Sequence, residues 1–171
     1  MKLFAVSCWL LAVSAAACGC SSSYSWRSSV PADARTVAVP TFRNESNVSE
    51  VGALASRQLL REFQREGTFK VRMSGEAAIE VQGVIKSVSP AMAAYNRRTG
   101  GRVAAYDLSA TAEISVVDKR TRKVLVDNRK YTANATFTAG QDRTTAVRDA
   151  SGRLMDDLAR QVVDDILNLK W

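Results

Sequence analysis

From Tyr106 to Val116 the chain alternates without a fault. Tyr106, Leu108, Ala110, Ala112, Ile114 and Val116 are apolar, and Asp107, Ser109, Thr111, Glu113 and Ser115 between them are polar. Successive side chains of a β-strand point to opposite faces, so a period of two over this length predicts a long strand with one face buried and one face wet. Such a strand needs neighbours to pair its backbone and a second layer to cover its apolar side.

The rest of the body supplies both. Residues 36–42 (TVAVPTF) are β-branched and apolar, which predicts a largely buried strand, with Pro40 marking an edge or the strand's exit. A turn over residues 44–47 offers Ser46, Asn47 or Ser49 as a helix cap. Val51, Leu54, Ala55, Leu59 and Phe63 recur at spacings of three and four, predicting an amphipathic helix over about 49–65 that Gly67 ends. Residues 69–73 read as a short strand. Ile79, Val81, Gly83 and Ile85 alternate with Glu80, Gln82, Val84 and Lys86 in a half-buried strand. From 90 to 102 the pattern lapses into a loop. Residues 118–122 (DKRTR) form a hairpin turn into a strand over 123–137. Ala146, Ala150, Leu154, Leu158, Val162 and Ile166 step by four, predicting a last helix over about 142–169.

The element order is β-α-β-β-β-β-α. The expected fold is α+β: a two-layer sandwich with two amphipathic helices packed on one face of a mixed, mostly antiparallel four- to five-stranded sheet. Of the 171 residues, 36–171 form a single domain, since a chain of this length rarely divides.

Ahead of that domain, residues 1–17 (MKLFAVSCWLLAVSAAA) place one lysine before an apolar run and then small residues, the layout of a secretory signal peptide too short to span a bilayer. The small residues lead to Cys18, Gly19 and Cys20. All three cysteines of the chain lie in the first twenty residues, where a disulfide framework would have spread them through the body. The arrangement resembles the lipobox of bacterial lipoproteins, with Cys18 as the acylated residue and Cys20 as the alternative. Several acyl chains at ~0.8 kcal/mol per buried CH₂ anchor a protein firmly where one chain is marginal. Residues 18–35 are then the lipidated N-terminus and a serine-rich tether carrying Tyr24, Trp26 and Pro31. By the same resemblance, the lack of an acidic residue close after Cys18 points to sorting to the outer membrane, on its periplasmic face.

Composition excludes more than it selects. The chain has no histidine, which removes imidazole zinc sites and Ser-His-Asp triads. It has no P-loop, no G-x-G-x-x-G, no C-x-x-C and no H-E-x-x-H. Neither a catalytic residue, a metal site nor a cofactor is expected. Asp156-Asp157 and Asp164-Asp165 share a helix face and read as its solvated side. The net charge is +7, and setting Lys2 of the leader aside leaves +6. A basic surface attracts phosphates, and an exported chain meets those of lipids and lipopolysaccharide rather than nucleic acid. The cations cluster: Arg97, Arg98 and Arg102 in one loop, Lys119, Arg120, Arg122 and Lys123 in the hairpin, Arg129 and Lys130 along a strand. If sequential strands pair, loop and hairpin lie at opposite ends of one ribbon. Arginine forks match phosphate oxygens in two-point contact, although charged hairpin tips also serve simply to keep edges soluble.

The lipidated Cys-Gly start, the short aromatic tether, the run from Arg35 to Asn44 (RTVAVPTFRN), the helix ending at Glu66-Gly67, the Val81-Gln-Gly-Val-Ile strand and the terminal helix closing on Trp171 together resemble the LptE family. The resemblance spans nearly the whole mature chain. It implies a non-enzymatic α/β domain that plugs the lumen of an LptD-like outer-membrane β-barrel, assists the folding of that barrel, and helps deliver lipopolysaccharide. The basic loop and hairpin would then meet lipopolysaccharide phosphates or the barrel wall. A first strand of the form Ala-Val-Pro-x-Phe-x-Asn also resembles the domain of CsgG-type secretion lipoproteins and LpoB-type activators of peptidoglycan synthases. Against those, the chain has no spare amphipathic segment for a pore, and its tether of about fifteen residues spans only ~50 Å fully extended.

Overall fold

The computed structural model describes residues 30–96, 102–138 and 143–171. A 3₁₀ turn over Ala32–Ala34 leads into strands β1 (Thr36–Ala38) and β2 (Arg43–Asn44), helix α1 (Val51–Glu66), strand β3 (Lys70–Val71), the three long strands β4 (Ile79–Asn96), β5 (Arg102–Asp118) and β6 (Lys123–Thr138), and helix α2 (Arg143–Leu167). All strands join one six-stranded sheet in the order β3-β1-β4-β5-β6, with β2 also pairing to β4. β1 runs parallel to β3 and β4, and β2 parallel to β4, while β4, β5 and β6 form an antiparallel meander. Parallel neighbours need a crossover, and α1 between β1 and β3 supplies it. The expected two-layer α+β sandwich is observed, with the first predicted strand split into two short ones that bring the sheet to six.

The alternation of β5 is reproduced residue by residue. Leu108, Ala110, Ala112, Ile114 and Val116 are buried, together with Val81, Ile85 and Val88 of β4 and Ala133 and Phe137 of β6. Both helices cover that face. Every residue of the predicted α2 stripe is buried, as are Val51, Ala55, Leu59 and Phe63 of α1. Among the described residues a single hydrophobic cluster contains them all.

The structure departs from expectation in three places, each with a local cause. The first strand splits in two. Between the Ala38↔Glu80 and Arg43↔Val84 pairs the leading segment advances five residues while β4 advances four. Pro40, with no N–H to give the ladder, lies in the excursion. The side chains of Ser46, Asn47 and Ser49 do not cap α1. The chain enters the helix through Glu50 in the left-handed conformation, φ 64°, with no side-chain cap. Asn44 orders the approach instead, accepting from the Ser46 backbone N–H at 3.0 Å and donating to the Val48 carbonyl at 2.8 Å. Finally, residues 90–96 are strand rather than loop. A bulge at Lys86 shifts the register by one, so Lys86 and Ser87 are both exposed before Val88 returns to the core. Beyond Ile85 nothing among the described residues pairs with the far side of β4, so Pro90 sits on a free edge, where a missing donor costs no ladder bond.

Candidate functional site

The Pro-x-Phe-x-Asn element is a clasp between sheet and helix. Phe42 is buried, and its backbone N–H donates to the Ser56 hydroxyl of α1 at 2.8 Å. That hydroxyl lies 3.3 Å from the Pro40 carbonyl and 3.0 Å from the Gly52 carbonyl, so a buried polar side chain is fully used. Two glycines make the fit. A Cβ at Gly52 would lie 2.4 Å from the Phe42 carbonyl oxygen, and one at Gly83 would lie 2.5 Å from the Phe42 ring. The motif is therefore architectural: Pro40 releases the strand, Phe42 fills the slot over Gly83, and Asn44 fixes the turn. Ser56, Gly52 and Gly83 carried no sequence signal for this, because their roles exist only across the fold.

The hairpin between β5 and β6 gathers four of the predicted cations, and the structure divides them into two pairs. Lys119 binds the buried Glu80 at 2.8 Å. Burial opposes the charge on Glu80, but hydrogen bonds from Lys119, Ser74 and Gln82 outweigh it and hold the carboxyl at about 2. Arg120 folds back on the buried Asp118 in a two-point contact, Nε at 3.2 Å and Nη2 at 2.9 Å, while the Arg120 backbone N–H donates to the same carboxylate at 2.9 Å. Asp118 is accordingly pulled below its ordinary range, burial resisting and the Arg120 and Thr121 hydrogen bonds prevailing. The other guanidinium nitrogen of Arg120 reaches Asp33 in the 3₁₀ turn. Arg120 thus ties the entry of the tether to the hairpin.

Arg122 and Lys123 differ. Both are exposed, and neither forms an ion pair among the described residues. Arg122 also occupies the left-handed region, φ 56°, a conformation that favours glycine.

The register sets the hairpin cations and Arg102 at opposite ends of the ribbon. Asp118↔Lys123 closes one end and Asn96↔Arg102 the other. Arg97 and Arg98 fall outside the described residues, as do Cys18 and Cys20. Arg102 is described as the first residue of β5. Of the other charged residues singled out, Arg129 binds Asp165, which also accepts from the Tyr131 hydroxyl, and burial together with that bond raises the Tyr131 pKa. Asp156 pairs with Arg160 at 2.6 Å and Asp157 accepts from Gln161 at 3.1 Å, so these acids serve helix α2 itself. Among the described residues no cluster of acids has the makings of a metal site, and no helix is long and apolar enough to cross a membrane.

Two concavities lie among the described residues. A polar depression of about 490 Å³ on the open sheet face is lined by Arg43, Glu80, Gln82, Glu113, Ser115 and Asn128. A larger groove of about 780 Å³ separates the N-terminal ends of the helices, with Val48, Val51, Leu54 and Val147 lining it beside Arg57 and Arg148.

The family model described as LptE, lipopolysaccharide-assembly, matches residues 34–168. No curated protein matches the chain. Among solved structures, a hypothetical protein from Chlamydia trachomatis matches with a TM-score of 0.57 at 13% identity, covering 79% of this chain and 96% of that one. A minor lipoprotein from Acinetobacter baumannii matches at 0.51 and 14% identity, over 78% of this chain and 93% of that one. A protein from Xanthomonas campestris matches at 0.57 and 10% identity, over 78% and 83%. At such identities the likeness is one of fold alone.

Proposed function

The chain belongs to the LptE family of lipopolysaccharide-assembly proteins, and from that premise we propose that it is an outer-membrane lipoprotein that seats in an LptD-like β-barrel, assists its assembly and takes part in moving lipopolysaccharide to the cell surface. The observation that carries this reading is the family match over residues 34–168, which takes in the Phe42 clasp, the whole sheet and both helices. Acylation at Cys18, with Cys20 as the alternative, holds the protein to the periplasmic face of the membrane. The chain binds and positions rather than catalyses.

The division within the hairpin sharpens which cations meet the ligand. Lys119 and Arg120 are already bound to buried carboxylates. The contact with lipopolysaccharide phosphates or with the barrel wall therefore falls to Arg122 and Lys123 of the hairpin, and to the Arg97, Arg98 and Arg102 cluster. Guanidinium forks at those positions suit phosphate oxygens.

The test is a pull-down of the tagged full-length lipoprotein from detergent-solubilised outer membrane, with mass spectrometry of what accompanies it. A large β-barrel in near-equal amount is the expected result. A peptidoglycan synthase in place of a barrel would overturn the plug reading in favour of an LpoB-type activator.

A further inference from the structure

Gly152 lies well inside α2, where nothing in the backbone calls for it. Its conformation is ordinary helix, and a Cβ built there would meet nothing within 4 Å. A glycine in a helix costs roughly two- to fivefold in the folding equilibrium against alanine. Gly52 and Gly83 lack side chains because Phe42 packs against them, whereas the space at Gly152 is empty. That space belongs to the groove of about 780 Å³ between the helices, where Gly152 is part of the lining with Val51, Leu54 and Val147. A bulkier residue would strengthen the helix and fill the groove. The missing side chain keeps it open.

Two cations share the lining. Arg57 and Arg148 are exposed, and neither forms an ion pair among the described residues. Glu50 is the acid beside them. The first turn of α1 also has no side-chain cap, and the N-terminal end of a helix favours an anion. Small-molecule sites are mostly apolar clefts of about 300–1,000 Å³ with a few polar groups that fix orientation. An apolar groove with a surplus of positive charge fits a ligand that is apolar in its body and anionic at its head. The hairpin cations form a separate contact. Helix α1 runs from the groove toward the hairpin end of the sheet, because Lys70 after it pairs with Thr36, next to the row of Val37, Ile79 and Asp118. Its 16 residues span ~24 Å. Cations alone offer an acyl chain no cover from water, and each CH₂ withdrawn from water favours the bound form about fourfold.

We propose that the groove between α1 and α2 holds acyl chain of lipopolysaccharide, against Val51, Leu54 and Val147 in the space that Gly152 leaves, while Arg57 and Arg148 meet the phosphates at the acylated end of the same molecule. The proposal rests on the lipopolysaccharide-assembly reading and deepens it. The site lies in the domain itself and needs no membrane beside it, so a domain seated in a barrel can use it.

The test places a photo-crosslinking amino acid at Leu54 or, as the control, at the exposed Thr132 of β6 in the full-length lipoprotein in cells, and identifies the adducts by mass. A lipopolysaccharide adduct at Leu54 should exceed that at Thr132 severalfold. Gly152→Trp, which puts a ring into the open space, should lower the Leu54 adduct severalfold with a urea midpoint no lower than that of the wild type. Arg57→Glu with Arg148→Glu should lower it as well, and serves if the tryptophan disturbs the helix. Equal adducts at Leu54 and Thr132 overturn the proposal, as do adducts that neither variant reduces. So does an adduct at Leu54 with phospholipid or with a barrel protein in place of lipopolysaccharide, which would give the groove another occupant. A lipoprotein that recovers the barrel in the pull-down but gives no lipopolysaccharide adduct at Leu54 defeats the groove alone. One that recovers no barrel defeats the plug reading, and the proposal with it.

Discussion

Lys119 and Arg120 are separated from Arg122 and Lys123 by a single threonine, yet the two pairs of cations do opposite things. The first pair ends on carboxylates that the sheet has buried, Glu80 and Asp118. The second pair ends in water. A buried carboxylate stripped of its cation keeps its desolvation cost and loses its compensation, so the first pair is held by the fold itself. Nothing comparable restrains the second. The difference shows that a run of positive charge has no single meaning: which cations are structural is decided by where the acids lie, on other strands and in other rows.

The largest effect expected from breaking this contrast is acid sensitivity through Glu80. Its folded pKa of about 2 lies below the ordinary 4.5, so the stabilisation is complete above the unfolded value and is lost as the pH falls from about 4.5 through about 2. The shift corresponds to about 3 kcal/mol. Urea midpoints measured down this pH range should fall more steeply for the wild type than for Glu80→Gln. Parallel curves would mean that Lys119 is not holding Glu80. Next comes Asp118→Ala, which leaves Arg120 and the turn amides without their acceptor. A loss of about 2 kcal/mol in urea unfolding is expected, together with faster proteolysis of the tether, since Arg120 can no longer hold both Asp33 and the turn.

Smaller still is Arg122→Gly. It relieves a left-handed backbone and should stabilise the domain by about 1 kcal/mol or less, while reducing lipopolysaccharide capture in a binding assay. A variant gaining stability and losing nothing in binding would make Arg122 an ordinary turn residue. Least of all in stability is Arg122→Glu with Lys123→Glu, whose urea midpoint should match the wild type. Their effect should appear in lipopolysaccharide binding, as should that of Arg97→Glu with Arg98→Glu. Charge reversal at Lys119 cannot serve the same purpose, because lost binding there would be confounded with lost stability.

How much of this was legible in the chain depended on whether the cause was local. β5 could be read residue by residue because its alternation is unbroken, and α2 because its stripe never leaves the core. The far half of β4 was hidden by one extra residue. The bulge at Lys86 breaks the alternation, and Pro90 then looks like a terminator when it is an edge residue. The Pro40 signal was correct in kind, but the strand resumes beyond it as β2. The cap was misplaced because Asn44, rather than a residue next to the helix, orders the turn. Of the candidate site, the placing of the hairpin and Arg102 at opposite ends of the ribbon followed from simple strand pairing. The split between Lys119–Arg120 and Arg122–Lys123 did not, since it depends on Glu80 thirty-nine positions away and on the burial of Asp118. The clasp around Phe42 was equally silent: Ser56 and Gly83 acquire their meaning from each other's neighbours.

The free stretch of β4 bears on how such molecules coexist. The anchor proposed at Cys18 would confine a population to two dimensions at high local density, where any bare row of backbone amides invites a neighbour to add its own strand. Pro90 withholds a donor from that row, and the Lys86 bulge bends it out of line. The opposite border is β6, kinked at Asn128 and lined with Arg129 and Lys130. β3 is only two residues long. Each border is thus a poor template, and copies packed side by side would stay separate molecules rather than grow into a shared sheet.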